Sequence, residues 1–360
     1  MRLELSPRAH VPAWARLVAP LAAVLVALGA AGLAVALFGR SPLAAFDVYL
    51  VQPLSQAWGL QEVLLKATPL ILISVGLTFC FRAGLWNIGA EGQFIAGALL
   101  ASWLALSAGP GASPLLLPLV LALGVVGGVA WASVPAFLRA RLGVSEILTS
   151  LMLVYVAELL LDYLVRGPWR DPRAFNFPQT AVIAEGLRLP PLFADGRLHA
   201  GVLLAVLVAV LAAFLLSRTR LGFALTVSGL APRAALFAGF RPFGLTMGAF
   251  AVSGGLAGLA GAVEIVGQIG QLKPNISPGY GFTAIAVAFL GRLHPLGAVL
   301  ASLLLSLVAI GAENAQIFLR LPLDLARVFQ GALLLAVLAA DALTTHRVRL
   351  VRSPKRAASA

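Results

Sequence analysis

The residues able to handle a polar solute are few and lie close together. Arg82, Asn87, Glu91 and Gln93 sit between two apolar runs, in a stretch that also carries Gly84, Gly89 and Gly92. A second stretch, from Gly267 to Gly281, holds Gln268, Gln271, Asn275 and Ser277 among Pro274, Pro278 and several glycines. Amides, a carboxyl and a guanidinium suit hydrogen bonding to a solute or to freed backbone; no His–Glu, Asp–Asp or Ser–His cluster accompanies them as in an enzyme. The histidines His10, His199, His294 and His346 are scattered without metal-ligand spacing. The single Cys80 lies in an apolar run and has no disulfide partner. No catalytic set, metal or cofactor is expected.

The elements that must position these residues are apolar helices. Of 360 residues, 60% are hydrophobic and 11% charged, with a mean hydropathy of +0.97. A water-soluble domain carries roughly 25% charged residues, so a soluble enzyme, a disordered chain and a disulfide scaffold are all excluded. A membrane span needs about 20 mostly apolar residues rising about 1.5 Å each. Such runs occupy about 17–38, 63–81, 88–107, 114–137, 143–165, 199–217, 243–266, 281–293, 295–312 and 323–343. The first follows Arg2, Arg8 and Arg16 and resembles a signal peptide. Its charge-free run exceeds the usual core of about 7–15 residues, so it reads as an uncleaved helix. The eighth is too short to cross alone and reads as a half-helix.

The net charge of +12 follows the same layout. With the N-terminus inside, inner segments hold Arg2, Arg8, Arg16, Arg82, Arg139, Arg141, Arg218, Arg220, Arg233, Arg241, Arg292 and the basic tail from Arg347 to Arg356, which is most of the 26 Lys+Arg. The positive-inside rule then puts both termini in the cytoplasm of a multi-pass cell-membrane protein. The basic excess needs no nucleic-acid partner; the lipid bilayer explains it.

Five spans lie on each side of a long outer loop, and an odd number per half inverts the second half relative to the first. The expected fold is therefore all-α and polytopic: about ten transmembrane helices in two inverted five-helix halves with broken helices. The expected organisation is a cytoplasmic N-terminus 1–16, a first half 17–165, an outer loop 166–198, a second half 199–343 containing an inner loop 218–241, and a basic tail 344–360. The two Gly- and Pro-rich stretches follow the second and seventh spans, the matching positions where such architectures place a solute path. A charge at the bilayer centre costs about 2.5–3.5 kcal/mol on insertion scales, so Glu91 must be paired, solvated or neutral. Arg82 is a candidate partner, and Asn87 shares the face of Glu91 if this stretch is helical. Two readings stay open: Arg82, Asn87, Glu91 and Gln93 form a lock that holds the broken helix, or they line the path together with Asn275. Glu146 and Glu264 also fall near or within spans. Glu158 and Asp162, at the outer end of span five, read as solvated. The pairs Gly124/Gly128, Gly244/Gly248 and Gly254/Gly258 read as helix-packing positions. The outer loop reads as an ordered docking surface or a mobile connector.

The inner loop from Ser217 to Phe243 has room for one short helix, from about Pro232 to Ala238, with Pro232 in its first turn and Gly239 as its stop. Leu236 and Phe237 are unexpectedly apolar for a cytoplasmic loop. They suit either a connector lying on lipid headgroups or a docking helix inserted into a partner's groove.

These segments resemble the permease subunits of ATP-binding-cassette (ABC) importers for simple sugars, nucleosides and branched-chain amino acids. The most specific stretch is Phe81–Gln93, FRAGLWNIGAEGQ; others are Gly143–Met152, GVSEILTSLM, continuing to Tyr163–Pro168, YLVRGP; Gly281–Gly297, GFTAIAVAFLGRLHPLG; and Pro322–Gly331, PLDLARVFQG. The similarity runs in order from about Val63 to Leu343 and is nearest to nucleoside-type permeases that work with a basic-membrane-protein-like lipoprotein. In that family the loop between the halves couples to the ATPase, and Gly222, Gly229, Pro232, Arg233, Ala234, Ala235 and Gly239 match its pattern. Thr226 stands where the family often has Arg, and Leu230-Ala231 where it often has Glu-Asn. The resemblance implies an ABC ATPase partner, usually double-cassette, a second permease that is usually a different chain, and an extracytoplasmic substrate-binding lipoprotein. The chain lacks a G-x-x-x-x-G-K-[ST] phosphate loop, so hydrolysis falls to the partner. Purine nucleosides are the first expectation for substrate and simple sugars the second. An ion-coupled secondary transporter for a small polar solute is the alternative, since inverted repeats and an intramembrane acid fit it as well.

Overall fold

The computed structural model describes residues 2–7, 41–193, 196–320 and 346–351, with isolated positions between. Its helices, in chain order, are α1 (Ala57–Arg82), α2 (Ala90–Ser107), α3 (Leu117–Leu142), α4 (Glu146–Arg166), α5 (Gly201–Arg218), α6 (Arg220–Leu230), α7 (Pro232–Phe237), α8 (Pro242–Val263), α9 (Tyr280–Leu290) and α10 (Pro295–Leu319). α8 runs on directly into a π-helical turn, Glu264–Ile269.

Among the described residues, six helices are long and apolar enough to cross a membrane: α1, α3 with the turn before it, α4, α5, α8 with its π-turn, and α10. The chain is a membrane protein. The difference from ten expected spans has local causes. The spans expected at 17–38 and 323–343 lie mostly outside the described residues, as do the stretch 8–16 and the tail after 351. The run at 88–107 is present as the 18-residue α2, whose first turn carries Glu91 and Gln93 and so dilutes its apolar content. The run at 281–293 is the 11-residue α9, a half-helix of about 16 Å. The inner loop departs from expectation by carrying two helices, α6 as well as α7. Thr219 starts α6 by accepting from the Gly222 N–H, which is N-capping of the usual kind.

Two compact units divide the chain. In the unit 54–307, α1 and α8 are central, with 89% and 83% of their apolar windows buried, against 22% for α4 and 28% for α3. Helices apolar on every side belong in the middle of a bundle. Glycine lets α2, α3 and α8 meet backbone to backbone. A Cβ at Gly97 would run into Gly258, one at Gly258 into the Gly124 carbonyl, and one at Gly128 into the Gly254 carbonyl. Two of the three expected glycine pairs therefore face each other. The third is corrected: a Cβ at Gly244 or Gly248 would have no neighbour within 4 Å. The same spacing recurs there on a face with open space around it, although the neighbouring Phe243 lies under Arg141 of α3.

The other unit joins 1–53 with 308–360. Ala45 and Val48 form a small core there with Val35 and Ala315. Strand β1 (Arg2–Pro7) pairs antiparallel with β2 (His346–Val351), Arg2 opposite Val351. This pair is the exception to an all-helical reading. Apolar residues alternate with polar ones in both segments, Leu3 and Leu5 in one and Val348 and Leu350 in the other, which is strand rather than helix periodicity.

Candidate solute path and coupling site

α1 ends at Arg82 and α2 begins at Ala90, with Gly84 at φ 71° in the turn between. The non-helical residues that follow leave backbone N–H groups that need partners inside the bundle. The Trp86 N–H donates to Glu146 Oε1 (3.3 Å), Ile88 N–H to Ser150 Oγ (3.3 Å) and Gly89 N–H to Asn87 Oδ1 (3.1 Å). Asn87 is fully buried and faces Gln93 amide to amide. Its Nδ2 donates to Gln93 Oε1, and its Oδ1 accepts the return bond from Gln93 Nε2, both at 2.9 Å. Asn87 Nδ2 also donates to Ser253 Oγ of α8 at 3.0 Å. Glu146 is held in turn by Arg139 at 3.2 Å.

Arg82 is not the partner of Glu91. Its Nε donates to the Leu293 carbonyl at 2.8 Å, tying the first break to the turn before α10. Phe81 and Trp86 extend that tie by stacking on Phe289 of α9, with ring centroids 5.0 and 5.6 Å away. Asn87 does not share a helix face with Glu91 either, because residues 85–88 lie outside any helix.

Glu91 reaches the second break instead. α8 stops at Gly270 (φ 75°), and α9 starts after Gly279 (φ 94°). Glu91 Oε2 accepts from the Gly281 N–H at 2.5 Å, and the Ser277 hydroxyl bonds the same carboxyl group. Ser277 Oγ accepts from Gly279 and Tyr280 N–H groups. The carboxyl thus sits at the N-terminus of a half-helix, where orphan N–H groups and the helix dipole favour negative charge. Replacing Glu91 by Leu is expected to lower stability by about 2 kcal/mol, since it orphans Gly281 N–H. Glu91→Gln keeps an acceptor and should recover most of that. Tryptophan-fluorescence melting of the purified protein measures both.

A cavity of about 510 Å³ beside Glu91 is lined by Tyr155, Glu158 and Asp162 of α4 and by Asn275 and Ser277 of the second break. Glu91 and Asn275 therefore line one space, which Asn87 and Gln93 do not reach. Asp162 pairs with Arg166 at 2.7 Å. Residues 180–189 of the long segment between α4 and α5 lie against the second break. The Thr180 N–H donates to the Leu272 carbonyl (3.1 Å), the Leu272 N–H donates back to Thr180 Oγ1 (3.0 Å), and the Ile183 N–H donates to the Gly270 carbonyl (2.8 Å). Ser150 and Ser253 are contacts that the sequence pattern does not single out. Their signal was that of isolated hydroxyls in or beside apolar spans, which mark internal polar contacts.

The matched inner-loop residues divide in two. Gly222, Gly229 and Ala235 face the bundle; Pro232, Arg233, Ala234 and Gly239 lie on the surface. A Cβ at Gly229 would collide with the Arg82 carbonyl, so α6 rests directly on the first break. α7 has Pro232 in its first turn, ends before Gly239 (φ 82°) and leaves Leu236 and Phe237 56% and 94% exposed.

Apolar spans closed on glycine contacts, broken twice and tied to a short helix with exposed apolar residues, make a membrane transport protein. Residues 59–338 match the family described as branched-chain amino acid transport system / permease component, and the chain belongs to that family of ABC importer permeases. It is 38% identical to the glucose ABC transporter permease TsgB13 of Haloferax volcanii, over 97% of this chain and 94% of the relative. It is 32% identical to the guanosine ABC transporter permease NupP of Bacillus subtilis, over 84% and 87%, and 30% identical to the nucleoside ABC transporter permease NupB of Lactococcus lactis, over 83% and 84%. No solved structure matches. The protein is thus a transport subunit without its own ATPase site, of a class that works with ATPase and substrate-binding components.

Proposed function

We propose that this chain forms the translocation path for a nucleoside or simple sugar delivered by an extracytoplasmic binding lipoprotein. A double-cassette ATPase docks on 218–241, and a second, different permease chain completes the path. The substrate class is carried over from relatives named for glucose, guanosine and nucleosides. Ten spans in two inverted halves, 17–165 and 199–343, with both termini cytoplasmic, fit the inner placement of basic residues. The β1–β2 pairing supports the same layout, since it keeps the two ends of the chain together.

The observation that carries this reading is the exposed Phe237 on α7, one short helix away from Gly229, which rests on the break at 82–84. A force on α7 passes through α6 to the first break, and from Arg82 to the Leu293 turn beside α9. Asn87 and Gln93 hold the break in shape, while Glu91 and Asn275 line the space between the two breaks. For ATP to drive transport, the ATPase must bind one arrangement of this chain of contacts better than the other.

Scrambling 232–239 in the reconstituted complex is expected to cut substrate-stimulated ATP hydrolysis at least tenfold. Phe237→Ala alone should weaken ATPase binding by about 2 kcal/mol, the scale of a buried aromatic anchor. Undiminished hydrolysis with the scrambled loop overturns the docking role. Uptake driven by an ion gradient without ATP would point to a secondary transporter.

A further inference from the structure

A second cavity, of about 850 Å³, lies where the segment 166–198 folds back on the end of α8. Arg188, Arg197, His199, Glu185 and Gln268 line it, and it shares no lining residue with the cavity at Glu91. Its walls are tied together: the Leu189 N–H donates to the Val266 carbonyl at 3.0 Å and the Ile183 N–H to the Gly270 carbonyl at 2.8 Å. Arg188 and Gln268 thus stand on paired segments, and the Arg188 guanidinium rests over Gly270, where any side chain would displace it.

Two polar atoms of this cavity, Arg188 Nε and Gln268 Oε1, are buried and find no hydrogen-bond partner among the described residues. Arg197, by contrast, is committed to Glu62 at 3.4 Å. His199 is held in one tautomer: its Nδ1 accepts from the Gly201 N–H at 3.1 Å, so Nε2 carries the proton, beside Gly267. A buried polar atom left unpaired is costly, so a ligand that pairs it is favoured.

The chemistry of the pair selects the ligand. Arg188 Nε only donates and Gln268 Oε1 only accepts. An anion would satisfy the first and repel the second; an ammonium group would do the reverse. A hydroxyl group both donates and accepts, so a polyhydroxyl solute suits both atoms without burying a charge. A cavity of this size falls in the usual range for small-molecule sites. We infer that this cavity binds a hydroxyl-bearing solute, a sugar or the ribose of a nucleoside, at a site separate from the one at Glu91. The inference rests on the substrate class proposed above and adds a second station for it.

The test uses the full complex of permeases, ATPase and lipoprotein in proteoliposomes, with glucose and guanosine as uptake probes. In parallel, saturation-transfer NMR follows methyl α-glucoside and guanosine on the lipoprotein-free complex in nanodiscs. Gln268→Leu and Arg188→Met are each expected to lower uptake below saturation about tenfold and to remove the transfer signal, with basal ATP hydrolysis unchanged. Gln268→Glu, which keeps an acceptor, should restore at least half of both and shows that the fold tolerates change at this position. Absence of a transfer signal in the wild type, or uptake and signal unaltered in both variants, overturns the site. If the wild type moves neither probe yet shows a signal that Gln268→Leu removes, the site stands and the proposed cargo falls.

Discussion

Replacing Gly258 by leucine is expected to remove folded permease from the membrane almost completely. Gly258 of α8 touches Gly97 of α2 on one side and the Gly124 carbonyl and Gly128 of α3 on the other. A Cβ at this position has no free direction, because the obstacles are backbone and not flexible side-chain ends. Overpacking a tight core costs about 1–3 kcal/mol and more where nothing can yield, while a whole domain is stable by only about 5–15 kcal/mol. Separating three helices also forfeits the van der Waals contacts that hold membrane helices together. Gly244→Leu, four turns nearer the start of α8, is the control. With open space around it, it should change the melting temperature little. Monodisperse yield in detergent and the thermal midpoint measure both. A Gly258→Leu protein as abundant and stable as the wild type would overturn the three-helix contact.

Asn87→Ala carries the second large effect. One amide here serves four bonds, to Gln93 twice, to Ser253 and to the Gly89 N–H. Alanine leaves Gln93 and Gly89 unpaired inside the bundle, at about 1–3 kcal/mol for each orphan, so a loss of about 3 kcal/mol is expected. Asn87→Asp should be no better: it keeps the acceptor oxygen but loses both donated bonds and buries a charge. Gln93→Ala added to Asn87→Ala should cost clearly less than the two single changes summed, since the second change removes a group already orphaned. Thermal midpoints of the four proteins form the cycle. Strict additivity would mean that the amide pair is not the lock.

The positions of the breaks were legible because glycine, proline and polar residues interrupt apolar runs, and interruption is a property of neighbouring residues. Glu91 stood out for the same reason, as an acid in a charge-poor chain. Its partner was not legible. Arg82 lies nine residues away and looked suitable, yet it turns to the Leu293 carbonyl, and Glu91 meets the Gly281 N–H. The glycine pairs make the same point: three pairs share one spacing, and only the two that come opposite each other are packed. The inner loop's second helix, α6, was hidden by its modest length and mixed composition.

Composition, run length and the placement of basic residues thus determined a polytopic membrane chain with two interruptions, and local motifs tied it to a transport family. These are short-range quantities: about 20 apolar residues span a bilayer whatever surrounds them. Which polar group pairs with which was decided by the fold. Asn87 and Ser253, or Glu91 and Gly281, are brought together only by the rotation and depth at which α1, α2, α8 and the start of α9 pack. Those depend on glycine contacts between residues far apart in the chain, and no periodicity within a single segment encodes them. The cavity at Arg188 and Gln268 has the same origin, since it exists only because the long outer segment folds back onto the end of α8.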